Sequence, residues 1–332
     1  MTSATTATAV ACSNFALCKY WGKADLERNV PAVPSMSMTV AALTTRTTVE
    51  PLGADATTDR VLLGGRLADA TTHARVVEQL DRLRARAPGA PRRLVTSENS
   101  VPTGAGLASS ASAFAALTAA AARALGLALT LEQLSDLSRR ASASAARSLH
   151  GGFVELPAGE PGTEWLPAHP VEVAEGLDLR LLVAVTSESA KAVGSRDGMN
   201  RTMRTSPYYR AWTEQAPEEL ATARAALAAG DLPALGEVME RSAMRMHASA
   251  MAAAPPILYW TSGTVEVIGA VRRLRERGVD AYFTIDAGPN VKVVCRAADA
   301  ACARTSLSAV RGVLSVIESG VGGPVRVSGG AA

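Results

Sequence analysis

Several short stretches of this 332-residue chain hold residue types that can handle an anion or a proton. The densest is residues 102–112 (PTGAGLASSAS). Small residues there let backbone approach a ligand closely, and a helix starting behind them presents unpaired N–H groups and the positive end of its dipole. That combination suits a phosphate cradle. Ser109 and Ser110 add hydroxyls for a phosphate oxygen or a Mg²⁺ ion. The run reads equally as an Ala/Gly/Ser helix start packed on a sheet. Two other phosphate motifs are excluded: Gly22-Lys23 is followed by Ala24, which breaks GxxxxGK[ST], and Gly104-x-Gly106 lacks the third glycine of the dinucleotide fingerprint.

Asp286 lies in a tight DAGPN turn, where a carboxylate is held rigidly enough to orient or deprotonate a hydroxyl. An Asx-turn that stabilises only itself is the alternative. Lys19 and Lys23, four residues apart, face one anionic group if their segment is regular, and solvent otherwise. Arg147 follows Ser142 and Ser144; its planar fork suits a carboxylate, with a helix-end ion pair as the alternative. Trp21 either walls a pocket or fills core space. No pair of the four histidines has metal-ligand spacing, and neither His150 nor His247 is assigned to catalysis.

The elements that must position these groups follow from periodicity. Thr- and Val-rich residues 40–51 and residues 60–63, ending at Gly64-Gly65, predict paired strands. Val76, Leu80 and Leu83 recur at helical spacing, and residues 94–97 form a short strand before the glycine-containing loop. A helix is predicted from about 107 to 125, and a second begins at Thr130, where Thr130 and Gln133 make a capping-box pattern. Residues 177–185 predict a strand, 217–251 two helices broken near Gly230-Asp231, 264–277 a helix, and 281–285 and 291–296 two strands flanking the DAGPN turn. Without regular βα alternation the fold class is α+β, with a boundary near Val185 dividing residues 1–185 from 186–332.

Composition narrows the partners. Apolar residues make up 48% and charged residues 20%, enough to bury a core and exclude disorder. Lys plus Arg number 34 against 31 Asp plus Glu; the arginines are dispersed and aromatics are only 4%, which argues against nucleic acid. Residues 99–122 carry no charge, but their Pro, Gly and Ser suit a loop and core helix, not a membrane span. No secretory signal is read at the start. Cys12, Cys18, Cys295 and Cys302 form no CxxC pair, and a reduced cytoplasmic protein with small buried thiols is expected.

Residues 102–112 resemble the phosphate loop of the GHMP kinase superfamily, and further segments resemble one of its families, the diphosphomevalonate decarboxylases. Residues 14–23 (NFALCKYWGK) resemble that family's NIAxxKYWGK signature, residues 140–153 (RASASAARSLHGGF) its GSGSAxRSxxGGF segment, and residues 286–290 its DAGPN loop. Residues 195–199 (SRDGM), 205–207 (TSP) and 246–248 (MHA) match in the same order. The resemblance spans nearly the whole chain.

It implies a two-domain fold with the active site in the cleft between an ATP-binding and a C-terminal domain. The implied reaction uses ATP and Mg²⁺ to phosphorylate a tertiary 3-hydroxyl, then loses phosphate and CO₂. Asp286, Lys19, Arg147 and Ser110 would be catalytic, with Arg147 gripping the departing carboxylate and Ser110 reaching the metal. Tyr20, Lys23, Arg75, Ser142, Ser144, Ser195, Arg196 and Met199 would bind substrate, and Asn99, Pro102, Gly104, Gly106, Leu107, Ala108, Ser109 and Ser110 the nucleotide. A homodimer is the family's expectation. The departures are Ala141 and Ala143 where glycines are usual, Val33-Pro34 in place of a polar pair ahead of Ser35, Ser37 and Thr39, and Cys18 for an aliphatic residue. Alanine at a backbone needing positive φ would be strained. A decarboxylase of the monophosphate or another 3-hydroxy acid, a kinase that stops at the 3-phosphate, and a non-catalytic binder are the rivals; Lys19, Ser110, Arg147 and Asp286 together argue against the last.

Overall fold

The computed structural model describes residues 5–100, 109–189 and 191–329. Its longest strands are Ala7–Cys18 and Ser35–Pro51, paired antiparallel along almost their whole length. In Ala7–Cys18 buried and half-buried residues alternate as far as Cys12, and every residue from Ser13 to Cys18 is buried. The change coincides with a register shift between Cys12 and Ser13. Beyond the shift both faces of the strand are covered, so whatever follows Cys18 enters the protein interior.

Among the described residues, the first sheet runs in the order Arg326–Gly329, Ala7–Cys18, Ser35–Pro51, Arg93–Asn99, Arg60–Leu63 and Arg66–Leu67, with Phe153–Leu156 and His169–Pro170 branching from Ser35–Pro51. The second is wholly antiparallel: Ala281–Ile285, Val291–Arg296, Leu179–Val185 and Ser315–Ser319. Leu179–Val185 therefore belongs with the C-terminal strands, and Arg326–Gly329 returns to the first sheet. The sequence reading put its boundary near Val185, and backbone pairing puts the crossover between the two sheets ahead of Leu179. The α+β class holds.

Helix Ser109–Ala124 packs its Ala-rich body into the first core with Val76, Leu80, Leu83 and Leu137. Alanine at 115, 116, 119, 120, 121 and 124 lets neighbours approach on several sides, which is why residues 110–122 carry no charge. Thr130 caps helix Leu131–Ala141 with the predicted capping box. A second core mixes Phe15, Leu17, Met36 and Met38 with Leu181, Val183, Leu220, Leu227 and Val238, so the two sheets are joined through helices Tyr209–Ala229 and Leu232–Met251. Pro217, taken from sequence as a helix start, lies inside Tyr209–Ala229. Residues 281–285 and 291–296 are strands as predicted. Among the described residues no helix is long and apolar enough to cross a membrane.

Candidate active site

The buried end of Ala7–Cys18 delivers Lys19, and the end of Ala281–Ile285 delivers Asp286. The Lys19 ammonium donates to Asp286 Oδ1 at 2.6 Å and to the Ala16 carbonyl at 2.9 Å. Its backbone N–H donates to Ser242 Oγ at 3.0 Å, which anchors it to helix Leu232–Met251. The second carboxylate oxygen, Oδ2, lies 3.3 Å from the Lys292 ammonium without hydrogen-bond alignment. Burial alone would raise the Asp286 pKa, but Lys19 and Lys292 more than offset it and hold the carboxyl well below the usual range. Burial pushes Lys19 down to about 8, against the pull of Asp286. The pair is ionised at neutral pH.

Arg147 lies in the short helical turn Ala143–Leu149 and is buried. Its guanidinium donates to Ser37 Oγ at 2.9 Å, Ser35 Oγ at 2.6 Å and Asn14 Oδ1 at 3.4 Å. All three acceptors are neutral. Asp286 is close enough to act on Arg147 electrostatically, yet burial still pushes the guanidinium down to about 10. A buried cation held only by neutral oxygens favours an incoming carboxylate. Ser142 and Ser144 sit beside it with their hydroxyls 3.2 Å apart. Ser142 is extended (φ −155°), and among the described residues Asn29 is the only non-glycine with positive φ, so the strain expected of Ala141 and Ala143 does not arise. Half-buried Tyr20 has a buried hydroxyl without a hydrogen-bond partner among the described residues.

Lys23 points elsewhere. The segment from Lys19 to Gly22 is irregular, so the two lysines do not share one anion. Gly22 makes the bend at φ +114°, where a Cβ would stand 2.0 Å from the Tyr209 hydroxyl. Burial pushes Lys23 down to about 8, helped by the like charges of Arg196 and Arg75. These three cations come from three separate parts of the chain and have no acidic partner within ion-pair distance among the described residues, a grouping that calls for an anion. Ser195 and Arg196 open helix Ser195–Thr205, and Lys191 donates to both Ser195 Oγ (2.7 Å) and the Ala287 carbonyl (3.1 Å). Met199 lies on the inward side of that helix, buried in an apolar cluster with Trp21, Val33 and Trp212, against which Tyr20 packs.

A cavity of about 670 Å³ adjoins this site, lined by Ser110, Asn99, Ser97, Thr47, Arg75 and Phe114 among others. Asn99 Oδ1 accepts from Thr45 Oγ1 at 2.6 Å, and Arg75 stacks on Phe114 at 4.6 Å. Pro102, Gly104, Gly106, Leu107 and Ala108 lie outside the described residues, and for Ser109 only its place at the start of helix Ser109–Ala124 is described. Sequence reasoning missed Lys292, Lys191 and Ser242. Lys292 had a signal: a lysine among valines in a buried strand (VKVVCR) must have an internal partner.

A family model for the diphosphomevalonate decarboxylase-like N-terminal domain matches residues 11–166, and one for the mevalonate 5-diphosphate decarboxylase C-terminal domain matches residues 181–319. The chain belongs to the diphosphomevalonate decarboxylase family. Within this family, diphosphomevalonate decarboxylase from Aspergillus fumigatus is 33% identical over 327 residues, covering 92% of this chain and 80% of that one. The crystal structure of mevalonate diphosphate decarboxylase from Staphylococcus aureus superposes with a TM-score of 0.92 at 36% identity, covering 98% of each chain. A structure of MDDEF in complex with MVAPP, AMPPCP and magnesium gives a TM-score of 0.91 at 37% identity, covering 98% of this chain and 99% of that one. The GHMP-type decarboxylase fold expected from the motifs is the fold observed, and the family's division into two domains brackets the crossover ahead of Leu179.

Proposed function

We propose that this protein converts 5-diphosphomevalonate to isopentenyl diphosphate, ADP, phosphate and CO₂ with ATP and Mg²⁺. The observation that carries the proposal is the Lys19–Asp286 ion pair standing within electrostatic reach of Arg147, a buried cation with no acidic hydrogen-bond partner. A 3-hydroxy acid needs both halves of this arrangement: a carboxylate for its hydroxyl and a guanidinium for its own carboxylate.

On this reading Asp286 accepts the hydrogen bond of the tertiary hydroxyl and orients it, while Lys19 offsets charge on the oxygen as it becomes a nucleophile. With its carboxyl held well below the ordinary range, Asp286 is ionised at neutral pH, and its contribution is weighted toward orientation and charge. Arg147, fixed by Ser35 and Ser37, grips the substrate carboxylate until it leaves as CO₂. Lys23, Arg75 and Arg196 hold the diphosphate, with Tyr20, Ser142, Ser144 and Ser195 completing the polar wall and Met199 backing it.

The nucleotide site fits the same reading. The cavity carries the Ser110 hydroxyl near the N-terminal end of a 16-residue helix, together with polar Asn99, Ser97 and Thr47, a donor set suited to phosphate and Mg²⁺. Ser110 would reach the metal, and the bound Mg²⁺ and ATP supply the phosphoryl group and neutralise its charge. The first sheet and its helices form the ATP-binding domain and the second sheet the C-terminal one. A cytoplasmic homodimer is proposed on family resemblance.

The test is stoichiometric. Purified protein with ATP, Mg²⁺ and diphosphomevalonate should release ADP, phosphate and CO₂ in equal amounts, with the monophosphate and mevalonate run beside it. ADP without CO₂ would mean a 3-hydroxyl kinase.

A further inference from the structure

We propose that Lys292 is a positioning residue for Asp286: its buried ammonium holds Oδ2 from behind, so that the rest of the carboxylate faces the reacting hydroxyl. The proposal rests on the decarboxylase reading above.

Lys292 lies in Val291–Arg296 directly opposite Thr284 of Ala281–Ile285, so its backbone is tied to the strand that ends at Asp286. The Lys292 side chain is 1% exposed and that of Asp286 28%. Oδ2 is itself buried, so a ligand in the cleft can reach the Oδ1 side of the carboxylate but neither Oδ2 nor the ammonium behind it. Three contacts hold that ammonium: the Asn290 carbonyl at 3.1 Å, the face of the Phe15 ring at 4.8 Å, and Asp286 Oδ2 at 3.3 Å. The Asn290 carbonyl belongs to the DAGPN turn itself, so one buried group braces both the turn and its carboxylate.

The two lysines do different work. Lys19 donates a direct hydrogen bond to Oδ1, whereas Lys292 attracts the buried Oδ2 from behind. Without Lys292 the carboxylate would be free to rotate about its bond to Lys19 and turn both oxygens toward solvent. Lys292 also adds a positive charge beside a centre that must receive a transferred phosphoryl group. The other charged or titratable groups around it are Lys19, Lys191 and His247, and His247 is kept neutral chiefly by its burial.

Lys292→Met should lower kcat by about tenfold or more, with both KM values within about threefold of wild type. A structural role would not move the pH profile, but a charge acting beside Lys19 would. The positive charge of Lys292 disfavours protonation of Lys19, as does that of Arg147. Its loss should therefore shift the alkaline limb of the kcat profile to higher pH. Lys292→Arg keeps the charge, so its limb should stay in place and part of kcat should return. Lys292→Gln, able to donate to the Asn290 carbonyl, repeats the neutral test if the Met variant fails to fold.

A folded neutral variant with kcat within about twofold of wild type and an unmoved limb would overturn the proposal. So would a lowered melting temperature as the only change. The wild-type control separates the two claims: CO₂ release by wild type beside an unaltered neutral variant sinks only the role of Lys292, whereas a wild type that releases none sinks the decarboxylase reading and this proposal with it.

Discussion

Lys19 and Asp286 are 267 residues apart in the chain and joined by a 2.6 Å hydrogen bond. One is delivered by the first sheet and the other by the second, so the pair forms only when the two are packed together. Helix Leu232–Met251 enforces the register, since Ser242 accepts the Lys19 N–H and His247 lies 3.3 Å from the Ile285 carbonyl that precedes Asp286.

Replacing Asp286 by Asn tests the pair most directly. The amide keeps the size of the side chain but not its charge, so kcat should fall by about a hundredfold to ten-thousandfold while ATP still binds. Two buried lysines also lose their counter-ion, and a lowered melting temperature is expected. Turnover above about a tenth of wild type, in a folded variant that binds both ligands, would remove Asp286 from the mechanism.

Lys23 and Arg196 should act on affinity. Charge removal in Lys23→Met or Arg196→Gln is expected to raise KM for the diphosphate roughly tenfold to a hundredfold, or about 1.5 to 3 kcal/mol, with kcat little changed. Arg196 is exposed, so its effect should be the smaller and should shrink as salt is added. Steady-state kinetics at two ionic strengths decides the matter. If KM is unmoved in both variants, the diphosphate is held elsewhere.

The pH profile follows from two buried lysines. Lys19 and Lys23 are both pushed from the ordinary lysine range down to about 8, each mainly by burial. Both are cations below that pH and lose their charge above it. The value of kcat/KM should therefore decline as pH rises through about 8, and Lys23→Arg, charged throughout, should make the decline shallower. A profile flat to about pH 10, where an ordinary lysine titrates, would mean that neither charge is needed.

Gly22→Ala should be costly although no reacting group changes. The residue has φ +114°, and the added carbon would meet the Tyr209 hydroxyl at 2.0 Å and its ring at 2.8 Å. A loss of about 1 to 3 kcal/mol is expected in thermal melts. Adding Tyr209→Phe should recover only part of it, because the backbone strain persists. Full recovery would show that the clash alone made glycine necessary.

Much of this molecule was legible in its sequence because the information was local. Residues 281–285 and 291–296 read as strands from their apolar runs, Thr130 and Gln133 announced a helix start, and the resemblance of KYWGK, SRDGM and DAGPN to the family's motifs pointed to Lys19, Lys23, Arg196 and Asp286. Short-range sterics and hydrogen bonding leave such marks within a few residues.

What the tertiary structure decided is which of these groups meet. Two lysines four residues apart looked fit for one anion, but the bend at Gly22 sends Lys19 to Asp286 and Lys23 to Arg75 and Arg196. Leu179–Val185 read as a strand ahead of the boundary near Val185, and its pairing with Val291–Arg296 places it in the second sheet. Lys292 read as one charge in a strand of valines, and only the packing of Phe15 and Asp286 around it shows where that charge is used. Charge pairing and burial depend on distance in space, and in each case the deciding partner lies on a strand or helix remote in the chain.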